Sequence, residues 1–166
     1  MEIKVEFAVD ARMLFSSGIG VVIRNVLLRW QLGPGMVIVC DSKSADWCLR
    51  ELAGWEVRIA KSKIYSISEQ IEMPRLLSTV SVVWVPHYNL PLFSRAKAVV
   101  TVHDVLHLAR PDLFPGLLKQ LYARFMMKYA VRNSERLICV SEFSALEISR
   151  LISHLKEDVE VVYNGV

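Results

Sequence analysis

Short apolar runs alternate along the chain with longer segments in which apolar residues recur every three or four positions. The short runs predict β-strands, because a parallel sheet covered by helices buries both of its faces. The longer segments predict helices that lay one face on the sheet. The predicted strands are residues 3–9, 36–40, 55–59, 80–85, 98–103, 136–140 and 159–163, and the predicted helices are residues 18–32, 45–52, 66–77, 117–131 and 142–153.

This alternation predicts the α/β class, because successive right-handed βαβ units build a doubly wound, mainly parallel, Rossmann-like sheet. We expect about seven strands with helices on both faces, in a single domain of ordinary size for 166 residues. One helix, residues 117–131, is expected to face the sheet through the apolar residues at helical spacing: Leu118, Leu121, Tyr122, Phe125 and Tyr129.

The composition is apolar for a soluble domain, with 53% hydrophobic residues and a mean hydropathy of +0.33. Two interpretations fit: a sheet covered on both faces, or a surface that meets another domain. The net charge of +3 is too small to indicate nucleic-acid binding.

The three cysteines, Cys40, Cys48 and Cys139, lack the spacing of a zinc site. Cys40 and Cys139 lie in apolar runs and are expected to be inert core thiols in a reducing compartment. The first residues lead directly into a strand, so no secretory signal is predicted and we expect a cytoplasmic protein.

Polar residues and glycines gather directly after four of the predicted strands. Ligands of open α/β sheets bind beyond the carboxyl ends of the strands, so this clustering predicts a binding site there. Three of the four histidines belong to it. The residues are Asp10, Arg12, Ser16, Ser17, Gly18 and Gly20 after the first strand; His87, Tyr88 and Asn89 after the fourth; His103, Asp104 and His107 after the fifth; and Ser141, Glu142 and Ser144 after the sixth.

Each group also has a plainer structural interpretation. The glycines at positions 18 and 20 could bring backbone N–H groups to a phosphate or could simply form a tight turn. The pair His103-Asp104 could begin a helix, with the histidine satisfied beside it, and Ser141-Glu142 could cap the next helix.

The same residues allow two further chemistries, each with an argument against it. His103, Asp104 and His107 are zinc-type ligands, although the prolines that follow favour a loop over the helix that an i, i+4 histidine pair would need. The serines have no base partner at motif spacing, which disfavours a nucleophilic hydrolase.

Taken in order, five groups of residues resemble glycosyltransferase family 4, a large group of retaining enzymes with the GT-B architecture. No group is specific alone, but their order and spacing together are. They are Asp10-Ala11-Arg12 with Ser17-Gly18-Ile19-Gly20; Trp84-Val85-Pro86-His87; Thr101-Val102-His103-Asp104-Val105-Leu106-His107 followed by Pro111 and Phe114-Pro115; Val140-Ser141-Glu142-Phe143-Ser144; and Val161-Val162-Tyr163-Asn164-Gly165-Val166.

The resemblance implies two Rossmann-like domains that face each other across a cleft. Residues 1–166 would be the N-terminal, acceptor-side domain, and the donor-binding C-terminal domain would be absent from this chain. The implied catalytic residues are His103 and Asp104, the implied donor-binding residues are Gly18, Ile19 and Gly20, and the implied acceptor-binding residues are Arg12, His87, Tyr88 and Glu142. No metal and no cofactor is implied, because the nucleotide sugar is a substrate.

The resemblance also implies a function. We expect a hexosyltransferase that moves a sugar from a nucleotide sugar to a glycan or lipid-linked acceptor in polysaccharide or glycolipid assembly, with the isolated chain inactive. The alternative is a non-catalytic interaction module that pairs with a separately encoded subunit. Self-association through the exposed cleft face is a further expectation, and no nucleic acid is expected as a partner.

The segment 116–134 contains four basic residues and no acidic one. Two interpretations of it are open: the solvated flank of a core helix, or a surface that contacts an anionic membrane. The basic residues are Lys119, Arg124, Lys128 and Arg132.

Overall fold

The computed structural model of the chain describes residues 7–30, 35–110, 112, 116–152 and 159–165. Seven strands and six helices lie within these ranges. The strands are β1 (Phe7–Asp10), β2 (Met36–Cys40), β3 (Glu56–Ile59), β4 (Val82–Val85), β5 (Lys97–Val102), β6 (Arg136–Cys139) and β7 (Val159–Val161); the helices are α1 (Ser17–Arg29), α2 (Ala45–Glu51), α3 (Ile67–Leu76), α4 (Leu106–Ala109), α5 (Leu117–Asn133) and α6 (Glu142–Leu151).

The first of two compact units comprises Met1–Pro86 and Pro91–Lys97. Its strands lie in the order β3-β2-β1-β4 and pair in parallel. The chain therefore moves outward from β1 to β3 and then returns to the other side of β1. Such a reversal leaves a crevice at the carboxyl ends of the two strands where the order changes, here β1 and β4, and ligands of α/β proteins bind in such crevices.

The second unit comprises His87–Leu90 and Ala98–Val166. Strand β6 lies between β5 and β7 and is parallel to both. Helices α4 and α5 connect β5 to β6, and α6 connects β6 to β7. Since each connection returns the chain to a parallel strand, α5 and α6 run antiparallel to the strands, with their first turns at the carboxyl edge of the sheet.

The apolar runs form the core as the sequence predicts. All five residues of β2 are buried, and so are the last three residues of β1, which end in Asp10. In the second unit, α5 contributes four buried residues, Met126, Met127, Ala130 and Val131. All three cysteines are buried and unpaired, as expected for Cys40 and Cys139.

The predicted fold class is confirmed: the strands are parallel, helices connect them, and the architecture is Rossmann-like. The boundaries agree within a few residues, and β5 ends at Val102, so His103 follows the strand. Predictions on residues 3–6, 31–34, 111, 114, 115, 153 and 166 lie outside the described residues.

Two predictions were wrong in detail. The segment after β5 was expected to be a loop, but it contains the short helix α4. The predicted buried face of α5 is largely exposed, with Leu118 at 83%, Leu121 at 54% and Phe125 at 55%. The helix has a second apolar stripe, formed by its methionines, alanine and valine, and that stripe packs in the core instead.

Candidate functional site

The first unit holds a buried ion cluster directly after β1. The Arg12 guanidinium donates to both carboxylate oxygens of Asp10, from Nε to Oδ1 at 2.8 Å and from Nη2 to Oδ2 at 2.6 Å. The Arg12 Nη2 atom also lies 2.6 Å from Oε1 of Glu69 on α3. Asp10 and Glu69 are fully buried, and Arg12 is 5% exposed. The cluster therefore ties the loop after β1 to α3.

The two carboxylates keep Arg12 charged. Burial by itself lowers the pKa of Arg12, but attraction to Asp10 and Glu69 and the hydrogen bonds to them more than offset this, so its pKa lies above the ordinary value. The other Glu69 oxygen, Oε2, accepts a hydrogen bond from the backbone N–H of Tyr65 at 2.7 Å. Arg12 was predicted to bind the acceptor; that role stays a prediction, and its geometry favours holding the loop.

Gly18 and Gly20 differ in what surrounds them at the start of α1. A Cβ atom at Gly20 would overlap the backbone O of Leu14 and lie 2.8 Å from the backbone O of Met13, so only glycine lets α1 pack on the preceding loop. A Cβ atom at Gly18 would meet nothing within 4 Å. The Ser16 side chain forms no cap hydrogen bond with this helix. Gly18 is thus the open position at a helix N-terminus, where backbone N–H groups attract anions.

In the second unit, His87 and Asn89 are buried and hold one another in place. The Nδ1 atom of His87 accepts a hydrogen bond from the backbone N–H of Asn89 at 3.2 Å, which orients the ring. The side-chain Oδ1 of Asn89 accepts one from the Tyr122 hydroxyl on α5 at 2.8 Å. Tyr88 stacks on His107, with ring centroids 4.7 Å apart. The structure therefore brings His87, Tyr88 and His107 together around the residues that follow β4.

His103 and Asp104 follow β5 and differ in exposure. Asp104 is exposed, and its Oδ1 accepts a hydrogen bond from the backbone N–H of Leu106 at 3.0 Å. This hydrogen bond supports the turn that leads into α4, but the cap residue of α4 is Val105, and its side chain forms no cap hydrogen bond. The helix cap expected at His103-Asp104 is therefore displaced by one residue. His103 is half-buried, and its backbone O accepts a hydrogen bond from the Ser144 hydroxyl at 3.2 Å.

His107 lies on α4 and is half-buried. Burial lowers its pKa, and the nearby Asp104 carboxylate offsets only part of that effect. A lowered pKa favours the neutral imidazole at physiological pH.

Ser141 and Ser144 form the cap of α6. The Ser141 Oγ accepts a hydrogen bond from the backbone N–H of Ser144 at 3.1 Å, so the cap predicted at Ser141-Glu142 is confirmed. Glu142 is exposed in the first helical turn, where a carboxylate is favoured by the helix dipole. Because Ser144 also reaches the backbone O of His103, the cap fixes the backbone next to that residue.

Sequence reasoning missed the roles of Glu69 and Ser144. The role of Glu69 could have been predicted. It lies four residues before Met73 and so on the same, buried face of α3, where a carboxylate requires a partner. No local pattern reveals the bond from Ser144 to His103, since the two residues are far apart in sequence.

Among the described residues, no three His, Cys, Asp or Glu side chains are grouped closely enough to hold a metal ion. None of the described helices is both long and apolar enough to cross a bilayer.

Comparison with known proteins decides the family. The sequence model of Glycosyltransferase Family 4 matches residues 18–166, which include both glycines of the α1 turn and the His103-Asp104 segment. The chain belongs to glycosyltransferase family 4. The resemblance drawn from the motifs is therefore confirmed.

A relative within reach of sequence comparison is the O-antigen chain mannosyltransferase RfbU of Salmonella typhimurium strain LT2. It is 29% identical over 80 residues. The aligned part covers 48% of this chain but only 21% of the relative. This family-4 chain is thus matched to about a fifth of that mannosyltransferase.

Proposed function

We propose that the protein is a retaining glycosyltransferase that moves a sugar from a nucleotide sugar to a glycan or lipid-linked acceptor. The observation that carries the proposal is the family match across residues 18–166. The similarity to an O-antigen chain mannosyltransferase supports a hexose donor and a role in polysaccharide or glycolipid assembly. Mannose is accordingly the first sugar to test.

In this proposal the second unit handles the transferred sugar. His103 contacts the sugar through its ring or backbone while the diphosphate departs, and Asp104 orients this segment through its bond to α4. Preorganised groups of this kind stabilise charge that develops in the transition state. The partial exposure of His103 as a residue and the hydrogen bond that holds its backbone O support the assignment. Retention would follow from attack on the same face of the sugar, without an enzyme nucleophile.

The remaining predicted residues are assigned either to the donor or to the acceptor. The donor phosphates approach the turn of Gly18, Ile19 and Gly20, where Gly18 borders open space. In the second unit the acceptor contacts His87, Tyr88 and Glu142. In the first unit Arg12 is the residue proposed for acceptor binding. No metal or other cofactor takes part.

We assign residues 1–166 to the acceptor-side domain of a GT-B enzyme and most of the donor contacts to a second domain. Positioning of donor and acceptor supplies much of the rate, so the 166-residue chain alone is expected to fold and not to catalyse. Calorimetry with a panel of nucleotide sugars should show weak or no binding to the chain alone. Tight binding would mean that the donor site is misplaced.

The function itself is tested by transfer with the protein that includes the donor-binding domain. A panel of nucleotide sugars, with a mannosyl donor among them, is incubated with candidate glycan and lipid-linked acceptors. NMR of the product then gives the anomeric configuration. The proposal predicts transfer with the configuration of the donor kept. Inversion would overturn the retaining mechanism, and absence of transfer with stable binding to another subunit would favour the interaction module.

A further inference from the structure

Helix α5 exposes a face on which apolar and basic side chains are separated along the helix. The apolar residues Leu117, Leu118, Leu121 and Phe125 are 70%, 83%, 54% and 55% exposed. They occupy the first half of the helix. Lys128 and Arg132 are exposed in the second half, and Arg124, also exposed, comes directly before Phe125 near the middle of the helix.

These seven residues share one side of α5. At 100° per residue they fall within about a third of the helix circumference. The buried residues, centred on Met127 and Ala130, lie on the opposite side. The exposed apolar stripe is therefore a separate surface and not the edge of the core.

Four large apolar side chains exposed in one patch indicate an interaction surface. The basic residues indicate its partner, because the segment 116–134 has no acidic residue. Within the described part of the chain, Arg124, Lys128 and Arg132 form no ion pair with a carboxylate. An anionic partner that also accepts apolar side chains fits both halves of the face.

A cavity beside this face adds a place for an anionic head group. It has a volume of about 110 Å³ and is lined by Arg124 and Lys128 of α5 together with apolar residues of α4 and α6. Basic side chains beside an apolar wall match the junction between a phosphate head group and its acyl chains. The lining residues are Leu108, Arg124, Lys128, Leu151 and Ile152.

We propose that the exposed face of α5 docks the protein on an anionic lipid surface, with its first half inserted among the acyl chains and its second half bound to the head groups. A second copy of the chain fits less well, because a symmetric contact through this face would bring like charges together. The first turn of α5 also lies at the carboxyl edge of the second unit's strands, the edge at which His103 follows β5. This places the inserted end where a lipid-linked acceptor would arrive.

Sedimentation with vesicles tests the docking on the full chain. Vesicles of phosphatidylcholine mixed with phosphatidylglycerol are compared with pure phosphatidylcholine at low and high salt. We expect a clear preference for the mixed vesicles at low salt that high salt weakens. Equal binding to the two vesicle types, or no binding to either, would overturn the proposal.

Substitutions separate the two halves of the face. Each basic residue near an anionic surface is worth roughly fivefold in affinity, so K128Q/R132Q should weaken binding about 30-fold. The pair L121Q/F125Q should weaken it at least about tenfold by removing the inserted side chains. The matched controls K43Q/R50Q and L49Q alter exposed residues elsewhere and should bind like the wild type.

Two readouts keep the result unambiguous. Circular dichroism should give unchanged melting for all variants, because the altered side chains are exposed. Analytical ultracentrifugation measures the oligomeric state of the wild type and of L121Q/F125Q. A wild-type dimer that becomes a monomer in L121Q/F125Q would assign the face to a second copy and overturn the proposal. The vesicle assay contains no donor sugar, so its outcome is independent of whether transfer is detected.

Discussion

At the level of single residues, Arg12 holds the loop after β1 in place through its ion pairs with Asp10 and Glu69. Removing one partner of a buried ion pair leaves the other buried and uncompensated, which costs about 3–5 kcal/mol. Arg12→Ala should therefore lower the free energy of unfolding by that amount in urea denaturation. The exposed Arg50→Ala is the control and should change it by less than about 0.5 kcal/mol. If Arg12→Ala keeps its stability but requires a much higher acceptor concentration for half-maximal rate, Arg12 binds the acceptor and does not hold the loop.

The two glycines of the α1 turn give a matched pair at the same scale. Gly20→Ala forces its methyl group onto the backbone O of Leu14, and overpacking of this kind costs roughly 1–3 kcal/mol. Gly18→Ala meets open space and should leave stability within about 0.5 kcal/mol of the wild type. Melting temperatures distinguish the two variants. An equal fall in melting temperature for Gly18→Ala and Gly20→Ala would contradict the described geometry of the turn.

The sequence predicted some residue roles better than others. The cap at Ser141 has a local signature, because a hydroxyl just before an amphipathic segment satisfies the first N–H groups of a helix. The burial of Arg12 has none, since its partner Glu69 is brought to it only by the packing of α3. Local chemistry is therefore readable in the sequence, whereas long-range polar pairing is not.

At the scale of elements, the cap of α6 connects stability to the position of His103. Ser141→Ala should cost about 1 kcal/mol by removing the bond to the Ser144 backbone N–H. Ser144→Ala should also release the backbone O of His103 and so reduce transfer more than the loss of stability explains. Ser149→Ala, also on α6 but exposed, is the control. Transfer by Ser144→Ala equal to that of Ser149→Ala would contradict the link.

Helix α5 shows where periodicity fails at this scale. Its sequence contains two apolar stripes, and the pattern alone favoured the larger side chains as the buried one. The structure buries Met126, Met127, Ala130 and Val131, which have small or adaptable side chains. Choosing between two stripes depends on the shape of the opposing surface, which no local pattern contains.

At the scale of the whole molecule, the order of elements was predictable because each parallel strand needs a crossover and each crossover has a fixed hand. The seven strands and five of the six helices within the described residues follow from that rule and the apolar pattern. The short helix α4 does not, since four residues carry too little periodicity to stand out. Family membership rests on the order of weak motifs along the chain and not on any single one.

The role proposed for His103 in sugar transfer is open to a direct measurement. Turnover is measured under saturating donor and acceptor for the wild type, His103→Ala and the exposed control Arg50→Ala, all with the donor-binding domain present, and melting temperatures are measured in parallel. Loss of a group that stabilises the transition state predicts a fall in turnover of about 10²–10³-fold for His103→Ala, with melting unchanged. Wild-type turnover by His103→Ala would contradict the account.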